Sequence, residues 1–187
     1  MAKDRKFVAY RRLERPYTRK SKYRKHMYLR GNPHPKIVRF VMGNKNKTFP
    51  VSVKLVSLTD LQIRHNAFEA ARMSCNRLIE KHLGKSGFYF RIHTYPHHAL
   101  RENALASGAG ADRLSTGMKK SFGKTIGMAA RVMKGTVVAE IGVDKKDVAL
   151  AKKAMKYFMC KLPNSYRIIV EESPSGSTVP TKTQYVL

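Results

Sequence analysis

Residues 1–36 hold the densest chemistry in this chain. Arg11, Arg12, Arg15, Arg19, Lys20, Lys22, Arg24, Lys25 and Arg30 are interleaved there with Tyr10, Tyr17, Tyr23 and Tyr28. An arginine offers a planar fork of donors to phosphate oxygens, and a tyrosine offers a flat face to a base or ribose. The mixture suits irregular RNA better than a regular duplex. A second basic stretch, Pro96 to Gly135, carries Arg101, Arg113, Lys119, Lys120, Lys124, Arg131 and Lys134 against only Glu102 and Asp112. It also carries Gly108, Gly110, Gly117, Gly123, Gly127 and Gly135. Glycine lets backbone approach a ligand closely while the cations supply countercharge, so this composition fits a finger laid into folded RNA. The bland alternatives are a solvated tail and a mobile loop.

Other chemistries fit poorly. Gly108-Ala109-Gly110-Ala111-Asp112-Arg113 starts like a dinucleotide fingerprint, but Arg113 stands where the third glycine belongs and no strand immediately precedes it. Gly117 to Thr125 ends in Gly-Lys-Thr like a phosphate loop, yet the spacing from Gly117 to Gly123 is one residue too long. His97 and His98 have no HExxH partner and acidic partners are scarce, so no metal site and no cofactor is expected. Glu140, Asp144 and Asp147 cluster at a helix start, where capping and dipole complement explain them. No catalytic group is expected.

The charge balance narrows the partner. The 187 residues hold 38 Lys or Arg against 12 Asp or Glu, a formal charge of +26. Residues 1–50 alone carry 16 of those cations against Asp4 and Glu14. A compact chain in such a field repels itself, so a polyanion that neutralises it is the natural ligand. Nucleic acid leads. An anionic membrane surface fits less well, because Trp is absent and the charge falls in loops rather than along one amphipathic helix. With no apolar run of 18 residues and no apolar segment behind the charged N-terminus, an intracellular protein is expected. Cys75 and Cys160 each read as a small buried hydrophobe.

The elements that must position these groups follow from periodicity. Ile37 to Val41, Phe49 to Leu58, Phe88 to Tyr95, Thr136 to Val143 and Tyr166 to Val170 read as strands. Thr59 and Gln62 form a capping box that opens a helix, whose stripe is Leu61, Phe68, Ala71, Cys75, Leu78 and Leu83, with Gly84 as the stop. Asp144 caps a second helix running to about Lys161, with stripe Val148, Ala151, Met155, Phe158, Met159 and Leu162. Its lysines, Lys145, Lys146, Lys152, Lys153 and Lys156, lie largely off that stripe, either solvated or bound to phosphate. Residues 96–135 show little periodicity and read as a 40-residue loop, long enough to need a function. The expected fold class is α+β: a two-layer sandwich of two helices on a mixed or antiparallel sheet, spanning residues 37–171. The basic arm precedes it, and a loose Ser/Thr/Pro-rich tail, 172–187, follows.

Several segments carry a resemblance. They are Arg12-Leu13-Glu14-Arg15-Pro16-Tyr17, Glu69-Ala70-Ala71-Arg72, Gly84-Lys85-Ser86-Gly87-Phe88 and the long run from Gly108 to Met118, continued by Phe122-Gly123-Lys124 and Ala130-Arg131-Val132. Through them the chain, over roughly residues 1–171, resembles universal large-subunit ribosomal protein family sixteen. In archaea and eukaryotes that family is called large-subunit ribosomal protein ten, or the QM protein, and the flavour here is archaeal. The resemblance implies a two-layer α+β protein on large-subunit rRNA, near the 5S rRNA and the tRNA-accommodating corridor, with neighbouring ribosomal proteins as further partners. It implies that the loop points toward the peptidyl transferase centre, with Arg101 at its base and Ser107 to Arg113, including Gly108, Gly110 and Asp112, close to rRNA and the tRNA acceptor end. It further implies a part in subunit maturation and tRNA settling without catalysis. The tail after Glu171 departs from the family pattern.

The expected function is therefore a structural, RNA-binding constituent of the large ribosomal subunit in the cytoplasm. An architectural protein on duplex DNA is the alternative, but the arm tyrosines and the missing recognition helix argue against it. An enzyme acting on RNA would need convergent acids or a metal site.

Overall fold

Alternation of apolar and polar residues builds two antiparallel sheets around one core. The structure, a computed structural model, describes residues 6–13, 23, 25, 31, 33–103, 105, 106, 108–115 and 123–172. Its strands are β1 (Val41–Gly43), β2 (Val51–Ser57), β3 (Leu61–Arg64), β4 (Tyr89–Ile92), β5 (His98–Glu102), β6 (Lys124–Val132), β7 (Val137–Val143) and β8 (Tyr166–Glu172). Its helices are α1 (His65–Leu83), the single turn α2 (Ala111–Leu114) and α3 (Val148–Met159). Five strands form one sheet in the order β1-β4-β7-β2-β8, and three form a second in the order β3-β6-β5.

The α+β sandwich expected from the sequence is present, with its sheet layer divided in two. Val53 and Leu55 on β2 face Ile141 and Ala139 on β7, and all four are sealed from solvent. Phe68, Ala71, Cys75 and Ile79 of α1, with Ala151, Ala154, Met155 and Phe158 of α3, close over them. Phe158 meets Phe90 of β4 edge to face, 5.8 Å between centroids, the geometry that ring quadrupoles favour. The same core takes in Leu61, Ile63, Ala130 and Val132 from the smaller sheet.

Several local expectations change. No helix opens at Thr59: residues 61–64 form β3, paired with β6 from Leu61 opposite Val132 to Arg64 opposite Ala129, and α1 begins at His65. The capping signal loses because Leu61 and Ile63 alternate with Gln62 and Arg64 at the strand period, and burying both apolar side chains outweighs one cap. Gln62 bonds the Arg12 carbonyl instead, and Thr59 Oγ1 accepts from Asn164. The stripe of α1 runs through Ile79, with Leu78 and Leu83 half-buried. Only Val41 of the Ile37 to Val41 stretch is strand; Ile37 is buried while Val38 is exposed. Asp144 makes no capping bond, because its carboxylate takes Lys47 Nζ at 2.8 Å, and one tight turn over Lys145–Asp147 precedes α3. Cys75 is buried as expected, but Cys160 at the end of α3 is exposed.

The largest correction concerns residues 96–135. They are not one loop, because β5 and β6 occupy its two legs and confine the connection to residues 103–123. Gly127, Ala129 and Ala130 have weak strand propensity, so only pairing on both sides, with β3 and β5, makes β6 a strand.

Candidate nucleic-acid interface

The three-stranded sheet turns one face to the core and the other to the N-terminal segment. Register places Gln62 opposite Arg131, and Ala129 between Arg64 and His98. An irregularity between Leu100 and Arg101 shifts the pairing so that Arg101 lies opposite Thr125. Arg64, Arg101 and Arg131 thus gather around one face whose opposite side carries Leu61, Ile63, Ala130 and Val132.

The described residues of the arm contact this face. Gln62 Nε2 donates to the Arg12 carbonyl, and Tyr10 sets its ring 5.9 Å from the Arg64 guanidinium carbon, within cation–π range. Tyr10 OH donates to Glu102 Oε2 at 3.5 Å, Thr125 Oγ1 donates to the Gly31 carbonyl at 2.8 Å, and the Lys36 amide donates to His65 Nδ1 at 3.2 Å. Main-chain and tyrosine contacts hold the arm down, so the Arg11 and Arg12 side chains stand exposed. Below them the field is positive enough to register on a buried imidazole. Burial first, then Arg131, His97 and Arg101, hold His98 down to about 4, so it is neutral at pH 7. Arg131 Nε, buried, donates to no atom of the described chain.

The connection between β5 and β6 starts from a tight gate. A Cβ on Gly123 would fall 2.2 Å from the Glu102 carbonyl carbon, so only glycine lets the two legs pass. Further out, Gly110 is left-handed at φ 78° and opens α2, whose Ser115 Oγ returns to the Ala111 carbonyl at 2.9 Å. Gly108, Gly110, Asp112, Arg113 and Leu114 are exposed, and Leu114 is 82% accessible, an unusual position for leucine unless something covers it.

Of the residues singled out from the sequence, Arg11, Arg12, Lys25, Arg101, Gly108, Gly110, Asp112, Arg113, Lys124 and Arg131 are described. The sheet brings Arg11, Arg12, Arg101 and Arg131 together, while Asp112 and Arg113 project on the connection. Arg15, Tyr17, Arg19, Lys20, Lys22, Arg24, Arg30, Ser107, Lys119 and Lys120 lie outside the described residues. The sequence reading missed Gln62, Arg64 and His98. The alternation in Leu61-Gln62-Ile63-Arg64 was the signal, hidden by the capping motif. The lysines of the second helix, Lys145, Lys146, Lys152, Lys153 and Lys156, are exposed. Arg72, by contrast, is tied by both Nε and Nη2 to Glu69, with Nη1 on Met42 Sδ at 3.5 Å, which makes Glu69 and Arg72 a structural clamp. Among the described residues no three His, Cys, Asp or Glu side chains gather as metal ligands, and no helix is long and apolar enough to cross a membrane.

A basic α+β body with exposed Arg11 and Arg12 beside a glycine-gated connection has the make-up of one class of protein, the polyanion-binding scaffold. The comparisons with known proteins name the family within that class. The family model for ribosomal protein L16p/L10e matches residues 18–169, and the chain belongs to that family. It is 48% identical over 162 residues to the large ribosomal subunit protein uL16 of a Methanococcus maripaludis strain, covering 86% of this chain and 90% of that protein. The uL16 proteins of Methanoculleus marisnigri and Archaeoglobus fulgidus are 45% and 42% identical, covering 84% and 87% of this chain and 92% and 90% of theirs. The chain is thus an archaeal-type ribosomal protein and a structural constituent of the large subunit.

Proposed function

We propose that this chain binds large-subunit rRNA through residues 1–36 and the connection between β5 and β6, near the 5S rRNA and the tRNA-accommodation and peptidyl transferase region, and that it supports subunit assembly and tRNA positioning. The division of labour follows the division of the chain: an arm (1–36), an α+β body (37–171) with its functional stretch (96–135), and a tail (172–187). One observation carries the reading. Among the described arm residues, Tyr10 and the Arg12 and Gly31 carbonyls contact the β3-β6-β5 sheet, while the side chains of Arg11 and Arg12 stand exposed to a ligand. A pre-set row of donors binds phosphate with less ordering cost than a free tail. At the connection, exposed Asp112, Arg113 and Leu114 project from the body, where they suit the tRNA acceptor end and nearby rRNA. Arg101 and Arg131, whose charges help hold the buried His98 neutral, support the connection's base as a second phosphate contact.

Chemical footprinting of rRNA in large subunits carrying either the wild-type chain or D112A/R113A tests this. Protection near the 5S rRNA is expected in both, with loss of A-site tRNA occupancy only in the variant. Normal tRNA occupancy with failed subunit assembly would refute the assignment of the connection to tRNA.

A further inference from the structure

The outermost strand of the larger sheet points to a second kind of partner. We propose that the free edge of β8 takes up an extended, basic segment of a neighbouring protein as a sixth strand, an inference that rests on the chain's place in the large subunit. β8 ends the order β1-β4-β7-β2-β8, and among the described residues no strand pairs with its other side. It runs seven residues, contains no proline, and its pairing with β2 is unbroken from Ser57 opposite Tyr166 to Val51 opposite Glu172. Edge strands of this length are normally shortened, bulged or covered, because their open N–H and C=O groups invite another strand. β8 bears the charged Arg167, Glu171 and Glu172 but has neither proline nor bulge to break its ladder.

The side chains say what would pair there. Ile168 and Val170 lie opposite Leu55 and Val53 on the core side, yet Ile168 is only half-buried and Val170 is 36% exposed. An incoming strand with apolar residues at alternate positions would cover both. Arg167, Ile169 and Glu171 point to the other side, opposite Val56, Lys54 and Ser52. The far end of the strand gathers four of the chain's twelve acids. Glu171 pairs with Lys54, Glu172 approaches Lys145 at 3.6 Å, Asp144 pairs with Lys47, and Glu140 lies opposite Lys54. Both Glu171 and Glu172 keep more than half of their side-chain surface in solvent after those contacts. A phosphate backbone gains little from such an edge, whereas a strand bearing lysine or arginine near the Glu171 end gains both the ladder and the charge. The partner is thus a protein, basic and extended, rather than RNA.

A benzophenone side chain placed at Arg167 of the full-length protein, incorporated into large subunits and irradiated, tests the proposal. The adduct, after nuclease and protease digestion, is expected on a peptide of another subunit protein with alternate apolar residues and a nearby Lys or Arg. The E171K/E172K pair is expected to lower its yield about fivefold, from two weak charge pairs reversed, and E171Q/E172Q by a smaller factor with the fold intact. An adduct on nucleotides, an adduct on residues 173–187 of the same chain, or no adduct in subunits that contain the protein would each overturn the proposal. A probe-bearing chain and a wild-type chain that both stay out of the subunit would overturn the ribosomal placement itself.

Discussion

Replacing Gln62 and replacing the arm arginines should damage RNA binding in two different ways. Gln62 is buried, and its side-chain amide holds the Arg12 carbonyl. Gln62→Ala removes one part-buried hydrogen bond, about 1 kcal/mol, so if RNA requires the docked arm its affinity should fall about fivefold. The charges are unchanged, so the salt dependence should be unchanged too. The quadruple variant R11A/R12A/R15A/R19A works on the other term. If the arm contacts about 8 phosphates, log affinity falls with log salt at a slope of about −6, and binding weakens about 4,000-fold between 50 and 200 mM salt. Removing four contacts should flatten the slope to about −3, or about 60-fold over the same interval. Filter binding of a large-subunit rRNA fragment across a salt series measures both variants. An unchanged slope in the quadruple variant would sink the arm as the phosphate-binding element. A flattened slope in Gln62→Ala would show that docking does more than preorganise.

Four further outcomes follow from individual residues. His93 first, then Ser52 and Lys54 against the opposing effect of burial, hold Glu140 down to about 2, from 4.5. Its folded pKa is depressed, so its contribution, about 2 kcal/mol, is complete above pH 4.5 and disappears as pH falls through 2. Thermal melts of E140Q should therefore run closer to wild type at pH 2 than at pH 6, and parallel curves would contradict this. His98 is also depressed, to about 4, but here the neutral form is favoured, so stability is full above pH 6.5 and falls as pH drops toward 4. An NMR titration of its ring should show a midpoint near 4, and an ordinary midpoint near 6.5 would contradict its burial. Gly123→Ala drives a methyl into the Glu102 backbone and should cost about 2 kcal/mol or more, read as a lowered unfolding midpoint in denaturant. Thiol labelling of the native protein should modify Cys160 promptly and Cys75 only on unfolding, since Cys75 is sealed and burial pushes its thiol pKa up.

Four of the five strands of the larger sheet and the bodies of both long helices could be read from periodicity, because each combines a regular apolar pattern with a clear stop such as Gly84; β1 shares only Val41 with the expected strand, and α1 starts at His65 rather than Thr59. The smaller sheet could not. β3 is four residues long and sits inside a capping signal, while β6 draws its strand identity from neighbours more than 20 residues away in sequence on one side and more than 60 on the other. Composition singled out Arg11, Arg12, Arg101 and Arg131 as candidates for a polyanionic ligand because residue type alone carries that signal. What joins them is register, which a sequence without its sheet pairings does not display. Arg64, inside the helix expected from Thr59, instead ends β3 with the Tyr10 ring 5.9 Å from its guanidinium carbon.

The position of β2 imposes a timetable on synthesis. Its two neighbours, β7 and β8, both follow it in the chain, and β8 ends at Glu172, about 115 residues after β2 closes at Ser57. At translation rates of about 5–20 residues per second, Val51, Val53 and Leu55 wait roughly 6–20 s before the sheet can be completed. Throughout that interval the cationic arm has already been synthesised. The new chain is therefore exposed to every polyanion in its surroundings before its own body exists to hold the arm in place.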